Sequence, residues 1–237
     1  MSFLNHDINS LRHNEFLLIT LGRLALVHGP AAEEVPGCQR RKLALLAYLG
    51  LARQPVTRDV LVEMFWGDEE EDRARHSLSN ALSFLRHVIG PDSITARRSD
   101  IALSADAGVS VDAVELRDAL KNRDYALVID LYTGPFLNAV YIPGSDTFEE
   151  WASGERARVD LAFAKACDAG CVRAASDRPW DECAKLARRW LDMSPMSPEA
   201  ALHLLNALRA SRTPDGRRAA LAEFARISAQ LSREYGA

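Results

Sequence analysis

No stretch of this chain approaches the roughly 18 consecutive apolar residues that a membrane-spanning helix requires. Its opening residues, Met1-Ser2-Phe3-Leu4-Asn5-His6-Asp7, carry neither the basic region nor the apolar stretch of a secretory signal. Four cysteines in 237 residues are too few for a disulfide framework. These absences predict a cytoplasmic protein with reduced thiols and no membrane partner. A glycine-rich phosphate loop is also missing, because all 13 glycines stand singly. The 6 histidines include no His-x-x-x-His pair. Cys167 and Cys171 lie four apart on an expected helix and could share a face with Cys183. A zinc site would want a fourth ligand, and none is evident. Small buried thiols are therefore expected, with no metal, no cofactor and no catalytic residues. The acidic pairs Glu149-Glu150 and Asp181-Glu182 sit at expected helix starts, where the helix dipole explains them without catalysis.

What is present is ordinary globular material. Apolar residues make up 48% and charged residues 26%, enough to bury a core and too much for wholesale disorder. The length fits two domains better than one. The net charge of −4 argues against a non-specific nucleic-acid binder, which is usually basic. A specific binder remains open, since the field at the docking face decides. That field is uneven. After the acidic run Glu69-Glu70-Glu71-Asp72, the stretch from Arg73 to Arg98 holds Arg73, Arg75, Arg86, Arg97 and Arg98 against Asp92 alone.

The N-terminal part alternates strand and helix signals. Two short apolar runs within 16–29 meet at Gly22-Arg23 and read as paired strands. A Pro/Gly loop follows to about Gly37. A helix with a basic first turn, Gln39-Arg40-Arg41-Lys42, runs to Pro55; that turn reads as a solvated helix start or a phosphate contact. Thr57 is a natural cap for a second helix, Arg58 to about Trp66, closed by Gly67. The third helix, about 72–89, is the most informative. Ala74, Leu78, Ala81, Leu82, Leu85, Val88 and Ile89 form one apolar stripe. Arg73, His76, Ser77, Asn80, Ser83, Phe84 and His87 align on the opposite side, with Arg75 beside them. After Gly90-Pro91, a hairpin over 93–104 presents Arg97 and Arg98 at its tip. Beyond Val111-Asp112 the texture is helical only, with helices expected at about 112–121, 124–132, 146–176, 179–193, 198–211 and 215–235. A weak repeat offset by 36 relates 180–187 to 216–223, near the period of a tetratricopeptide array. Tyr132, Phe148, Trp151, Trp180 and Trp190 are expected at helix–helix joints.

The predicted fold is mainly α. A winged helix-turn-helix (α+β) over residues 1–110 precedes an all-α, tetratricopeptide-like module over 111–237. A DNA reader needs one helix, apolar behind and hydrogen-bonding in front, to enter the major groove. The third helix has that pattern. Asn80 can pair with adenine; Arg73 and Arg75 can take guanine or phosphate; His76, Ser77, Ser83 and His87 can add base or phosphate contacts. Arg97 and Arg98 can reach a minor groove or the adjoining backbone. The competing reading is a non-enzymatic interaction scaffold built on the helical repeats.

Gln39-Arg40-Arg41-Lys42-Leu43-Ala44-Leu45-Leu46, Val56-Thr57-Arg58-Asp59-Val60-Leu61 with Phe65-Trp66-Gly67, and Ala74-Arg75-His76-Ser77-Leu78 with Leu82 and Leu85-Arg86 come in a particular order and spacing. They resemble the OmpR-type winged helix of the antibiotic-regulatory-protein family of bacterial transcriptional activators. Leu131-Tyr132-Thr133-Gly134-Pro135-Phe136-Leu137 and Leu231-Ser232-Arg233-Glu234-Tyr235-Gly236 are similar to that family's bacterial transcriptional activation domain. Where the family's wing usually carries a Gly-Tyr pair, this chain has Ser99-Asp100-Ile101-Ala102. The resemblance implies a sequence-specific activator that binds double-stranded DNA at direct repeats, as side-by-side protomers, and recruits RNA polymerase.

Overall fold

The computed structural model describes residues 15–210 except 53 and 178, and beyond them 218–219, 221–226, 229 and 233. The two apolar runs pair as expected. β1 (Phe16–Ile19) and β2 (Ala25–His28) are antiparallel, with Phe16 opposite His28 and Ile19 opposite Ala25. The loop expected after Gly29 contains a further short strand, β3 (Glu33–Glu34), paired with β2. Its side chains are exposed, so it left no apolar alternation to read.

Three helices follow. α1 (Arg40–Leu51) buries Leu43 to Ala47, Leu49 and Leu51. After β4 (Val56–Thr57), α2 (Arg58–Trp66) starts on Thr57, whose hydroxyl accepts from the Val60 N–H at 3.4 Å. α3 (Glu71–Ile89) begins one residue before the expected start, with the Glu70 carboxylate accepting from the Arg73 N–H. Ala74, Leu78, Ala81, Leu82, Leu85 and Ile89 are all buried on its inner side. Gly90, at φ +108°, ends it in a conformation that side chains disfavour. The hairpin β5 (Ile94–Arg97) and β6 (Asp100–Leu103) then returns, and β4 joins it to make a three-stranded sheet. Finally β7 (Val109–Val111) runs parallel to β1, closing the first sheet in the order β3-β2-β1-β7. This is a winged helix-turn-helix.

The remainder is helical: α4 (Asp112–Lys121), α5 (Tyr125–Leu131), α6 (Asp146–Asp177), α7 (Trp180–Met193) and α8 (Pro198–Ala210). The described residues within the expected helix at 215–235 are helical; the rest of that helix, including positions 216, 217 and 220 of the second repeat copy, lies outside the described residues. Among the described residues no helix is long and apolar enough to cross a membrane.

Packing divides the chain into two compact units that do not follow a cut at residue 110. One holds the described residues up to Asn122 together with Asp130–Asp160; the other holds Arg123–Ile129 and those from Leu161 onward. The reason is aromatic. Tyr48 on α1 and Phe65 on α2 share a cluster with Phe136, Phe148 and Trp151, with ring centroids 4.9 Å apart for Tyr48–Trp151 and 5.3 Å for Phe65–Phe148. Such pairs add about 0.5–1.5 kcal/mol each beyond the area they bury. Thr133-Gly134-Pro135-Phe136-Leu137 docks on the β1–β2 turn. The Gly22 N–H donates to the Pro135 carbonyl at 3.0 Å, the Leu137 N–H to the Thr20 carbonyl at 2.7 Å, and the Thr133 hydroxyl to the Leu21 carbonyl at 2.7 Å. A Cβ on Gly134 would fall 2.8 Å from the Gly22 Cα, so the two backbones meet only as glycines.

In the second unit, α7 and α8 form a helical hairpin across the turn 194–197, and α6 meets α7 where Gly170 lies against Leu186 and the Cys171 Sγ approaches the Cys183 carbonyl. Cys183, Ala184, Ala187, Trp190 and Leu191 face Ala200, Leu204, Ala207 and Leu208 as the buried residues of the two helices. Ser197 caps α8, its hydroxyl accepting from the Ala200 N–H at 3.2 Å.

Asp112, the first residue of α4, is 7% exposed. Its carboxylate accepts from the N–H groups of Thr20, Leu21 and Ala113 at 2.9, 3.0 and 2.8 Å, and from the Thr20 hydroxyl at 2.5 Å. Burial pushes this carboxyl upward, and the hydrogen bonds from Thr20, Leu21 and Ala113 pull against that. An orphaned buried donor costs about 1–3 kcal/mol. Asp112→Ala should therefore lower urea-unfolding stability by ~3 kcal/mol or more, and Asp112→Asn, which keeps one acceptor oxygen, by less.

Glu115, one turn further on, is half-buried. Its carboxyl is pushed up to about 7, chiefly by burial, with a hydrogen bond from Ser110 opposing and the Asp112 charge adding. A carboxyl raised on folding contributes stability that is full below its ordinary 4.5 and is lost as pH rises through about 7. Glu115→Gln should thus raise the urea midpoint at about pH 8 more than at about pH 5. Equal gains at both would show that the carboxyl titrates normally.

Candidate nucleic-acid interface

The inner side of α3 is locked by burial, so its outer side has a fixed orientation. His76, Asn80, Ser83 and His87 are exposed there, and Arg73 beside them has 79% of its side chain in solvent. At about 100° per residue these positions fall on one side of the helix. Ser77 is half-buried, its hydroxyl donating to Glu69 at 3.3 Å. Phe84, on the same side, is half-covered by Lys42, whose Nζ lies 3.9 Å from the ring centroid. Lys42 therefore adds a cation from α1 to the edge of this face.

Arg75 stands apart. It lies about 140° around the helix from Asn80. Its guanidinium donates to Glu71 at 2.8 Å and to Asp59 of α2 at 3.0 Å, and these carboxylates hold its pKa above the ordinary arginine value. The structure thus brings Arg73, His76, Ser77, Asn80, Ser83 and His87 together and sets Arg75 on the α2 side.

Three members of the acidic run before α3 have partners: Glu70 caps the helix, Glu71 pairs with Arg75, and Glu69 gathers several groups. Glu69 is the hub: its carboxylate meets Arg41 at 3.2 Å, Arg73 at 3.6 Å and Ser77. Arg41 also lies over the Trp66 ring at 5.7 Å and donates to the Pro143 carbonyl at 3.4 Å. The basic first turn of α1 is therefore split in use. Arg41 pins the α2–α3 turn, Lys42 covers Phe84, and Arg40 is exposed. The hydroxyl of Ser145 donates to the Met64 carbonyl, which fixes the same turn from the other side.

The hairpin places Arg97 and Arg98 in solvent at its tip. Arg98 takes φ +55°, a left-handed conformation that tight two-residue hairpin turns demand and that costs a side-chain-bearing residue about 1–2 kcal/mol. The hairpin is anchored at both ends. At the tip the Arg58 N–H donates to the Ser99 carbonyl at 2.9 Å, and at the base the Arg86 guanidinium donates to the Ile94 carbonyl at 2.9 Å. The first tie brings the α2 start, with Arg58, next to Arg97 and Arg98. Sequence reading missed Arg58 because its helix position alone gives no hint of a neighbour some 40 residues away; the short strand Val56–Thr57 before it was the available signal.

Comparison with known proteins gives a family match and a fold match. A model of the bacterial transcriptional activator domain matches residues 101–237. The fold is similar to that of EmbR from Mycobacterium tuberculosis, solved in complex with a low-affinity phosphopeptide, at a TM-score of 0.63 and 18% identity over 94% of this chain. The chain spans 61% of the length of that EmbR chain. No curated protein matches the sequence. The chain belongs to the bacterial transcriptional activator domain family.

Proposed function

We propose that this protein is a cytoplasmic, sequence-specific DNA-binding activator whose α3 enters the major groove of double-stranded DNA. The observation that carries the reading is the two-sidedness of α3. Its back is sealed in a three-helix core, and its front is an exposed row of hydrogen-bonding side chains. Asn80, His76, Ser83 and His87 reach base edges, with Asn80 suited to adenine. Arg73 and Ser77 serve phosphates, and Arg75 does so on release from Asp59 and Glu71. Arg97 and Arg98, with Arg58 beside them, meet the backbone or a minor groove. Protomers sit side by side on direct repeats, and the module over 111–237 recruits RNA polymerase.

A net charge of −4 does not oppose this, because the field at the docking face decides, and Glu69, Glu71 and Asp59 near α3 are ion-paired. Selection of bound fragments from the source genome with the purified chain, followed by salt titration on the winner, tests the proposal. The affinity should fall steeply with added salt as counterions are released. Asn80→Ala should weaken binding to that site by about 1–3 kcal/mol and relax specificity at one base pair. Arg97→Ala should weaken all sequences alike and reduce the salt slope by about one. Weak binding at every salt concentration would favour the interaction scaffold instead.

A further inference from the structure

Cys171 on α6, Cys183 on α7 and His203 on α8 bring their ligand atoms within 4.8 Å of one another. Nothing in DNA recognition calls on them. Cys171 and Cys183 are 0% and 1% exposed, and His203 is half-buried. The thiols have only weak partners. The Cys171 Sγ lies 3.8 Å from the Cys183 carbonyl oxygen, and the Cys183 Sγ lies 3.9 Å from that of His203.

The imidazole is the telling member. Its Nε2 is 2.8 Å from Oδ1 of Asp168, which lies one turn before Cys171 on α6. With Nε2 engaged there, Nδ1 is the ring nitrogen left to meet a metal. This outer partner is what metal-bound histidines characteristically have. Trp190 lies against the same ring, with centroids 6.3 Å apart, and limits its rotation. Buried thiols that merely fill space need no oriented imidazole.

We propose that Cys171, Cys183 and His203 form a zinc site that joins α6, α7 and α8. Two sulfurs and one imidazole are a soft donor set suited to zinc. Tetrahedral geometry with Zn–S bonds of about 2.3 Å puts two sulfurs about 3.8 Å apart. Small side-chain rotations close the remaining gap. Water takes the fourth position, and Asp168 stays in the outer layer. The balance is simple: Zn²⁺ enters, two Zn–S bonds form, and two thiol protons leave to solvent. The filled site is neutral when His203 is neutral. Cys167 lies one turn before Cys171 and outside this group of ligand atoms.

The test uses the full chain, chelator-treated and kept reduced. Cobalt(II) should bind one equivalent, with a thiolate charge-transfer band and the intense visible bands of a tetrahedral site; zinc should displace it. Cys171→Ser and Cys183→Ser should each lose about half of the charge-transfer intensity and at least tenfold in affinity. Cys167→Ser, an equally buried thiol on the same helix, should keep both. Zinc should raise the thermal midpoint of the parent, and chelator should reverse the rise. The latter readout does not depend on whether the serine variants fold. No stoichiometric cobalt binding by the reduced parent would overturn the site. So would a full-strength band surviving in both Cys171→Ser and Cys183→Ser. DNA binding is a separate measurement, so failure of either reading leaves the other standing.

Discussion

One carboxylate sets the frame of the first unit. Asp112 ends β7, starts α4 and lies against the end of β1 at Thr20 and Leu21. A buried charge is tolerable only when its oxygens are fully engaged. Here the N–H groups of two strand-end residues and one helix-start residue engage them, and the positive end of the α4 dipole adds to the field. The same Thr20–Gly22 stretch then receives Thr133 to Leu137. The carboxylate thus fixes a turn that in turn holds the segment carrying Phe136, and Phe136 leads into the aromatic cluster behind α1 and α2. Each step rests on the one before it.

This chain of contacts explains why the winged helix is not a self-contained block ending near residue 110. Its core is finished by Phe136, Phe148 and Trp151, which come from the activator-domain sequence. A small three-helix core buries a modest fraction of its surface, so borrowed aromatic area matters to it. The Glu69 hub belongs to the same logic. One half-buried carboxylate sits among Arg41, Arg73 and Ser77, and Arg41 is held by Trp66 and Pro143. The turn before α3 is therefore rigid, and the outer face of α3 inherits that rigidity. A recognition helix gains specificity only if its side chains arrive already placed.

Much of this was legible in the residues. The stripe from Ala74 to Ile89 fixed which side of α3 is inside, because helical spacing and burial are the same statement there. The caps at Thr57 and Gly90 and the hairpin around Arg98-Ser99 follow from local chemistry. What could not be read was nonlocal. Glu33–Glu34 is a strand because β2 lies beside it, not because of its own side chains. Arg75 sits at helical spacing close to the polar row, yet its place is set by Asp59 on another helix. Phe84 falls among polar neighbours and is half-covered by a lysine 42 positions earlier in the chain. In each case the deciding partner is distant in sequence.

The thiols show the same limit most sharply. Cys171, Cys183 and His203 are spaced by 12 and 20 residues, as the sequence numbers give. No short motif of metal ligands has that spacing; helical patterning suggests Cys171 beside Cys183, but nothing in it brings in His203. Three successive helices that pack as a layered array place one position from each at a common depth. The convergence is thus a property of the helical stacking and not of the spacing. Asp168 strengthens the point, because it is three residues from Cys171 and so on the same side of α6, where it meets the imidazole at 2.8 Å. A ligand set that spans all three helices would stiffen the second unit, as the Asp112 carboxylate stiffens the first. In both units, then, a few polar atoms at the junction of separate elements do what a larger apolar core does in bigger domains.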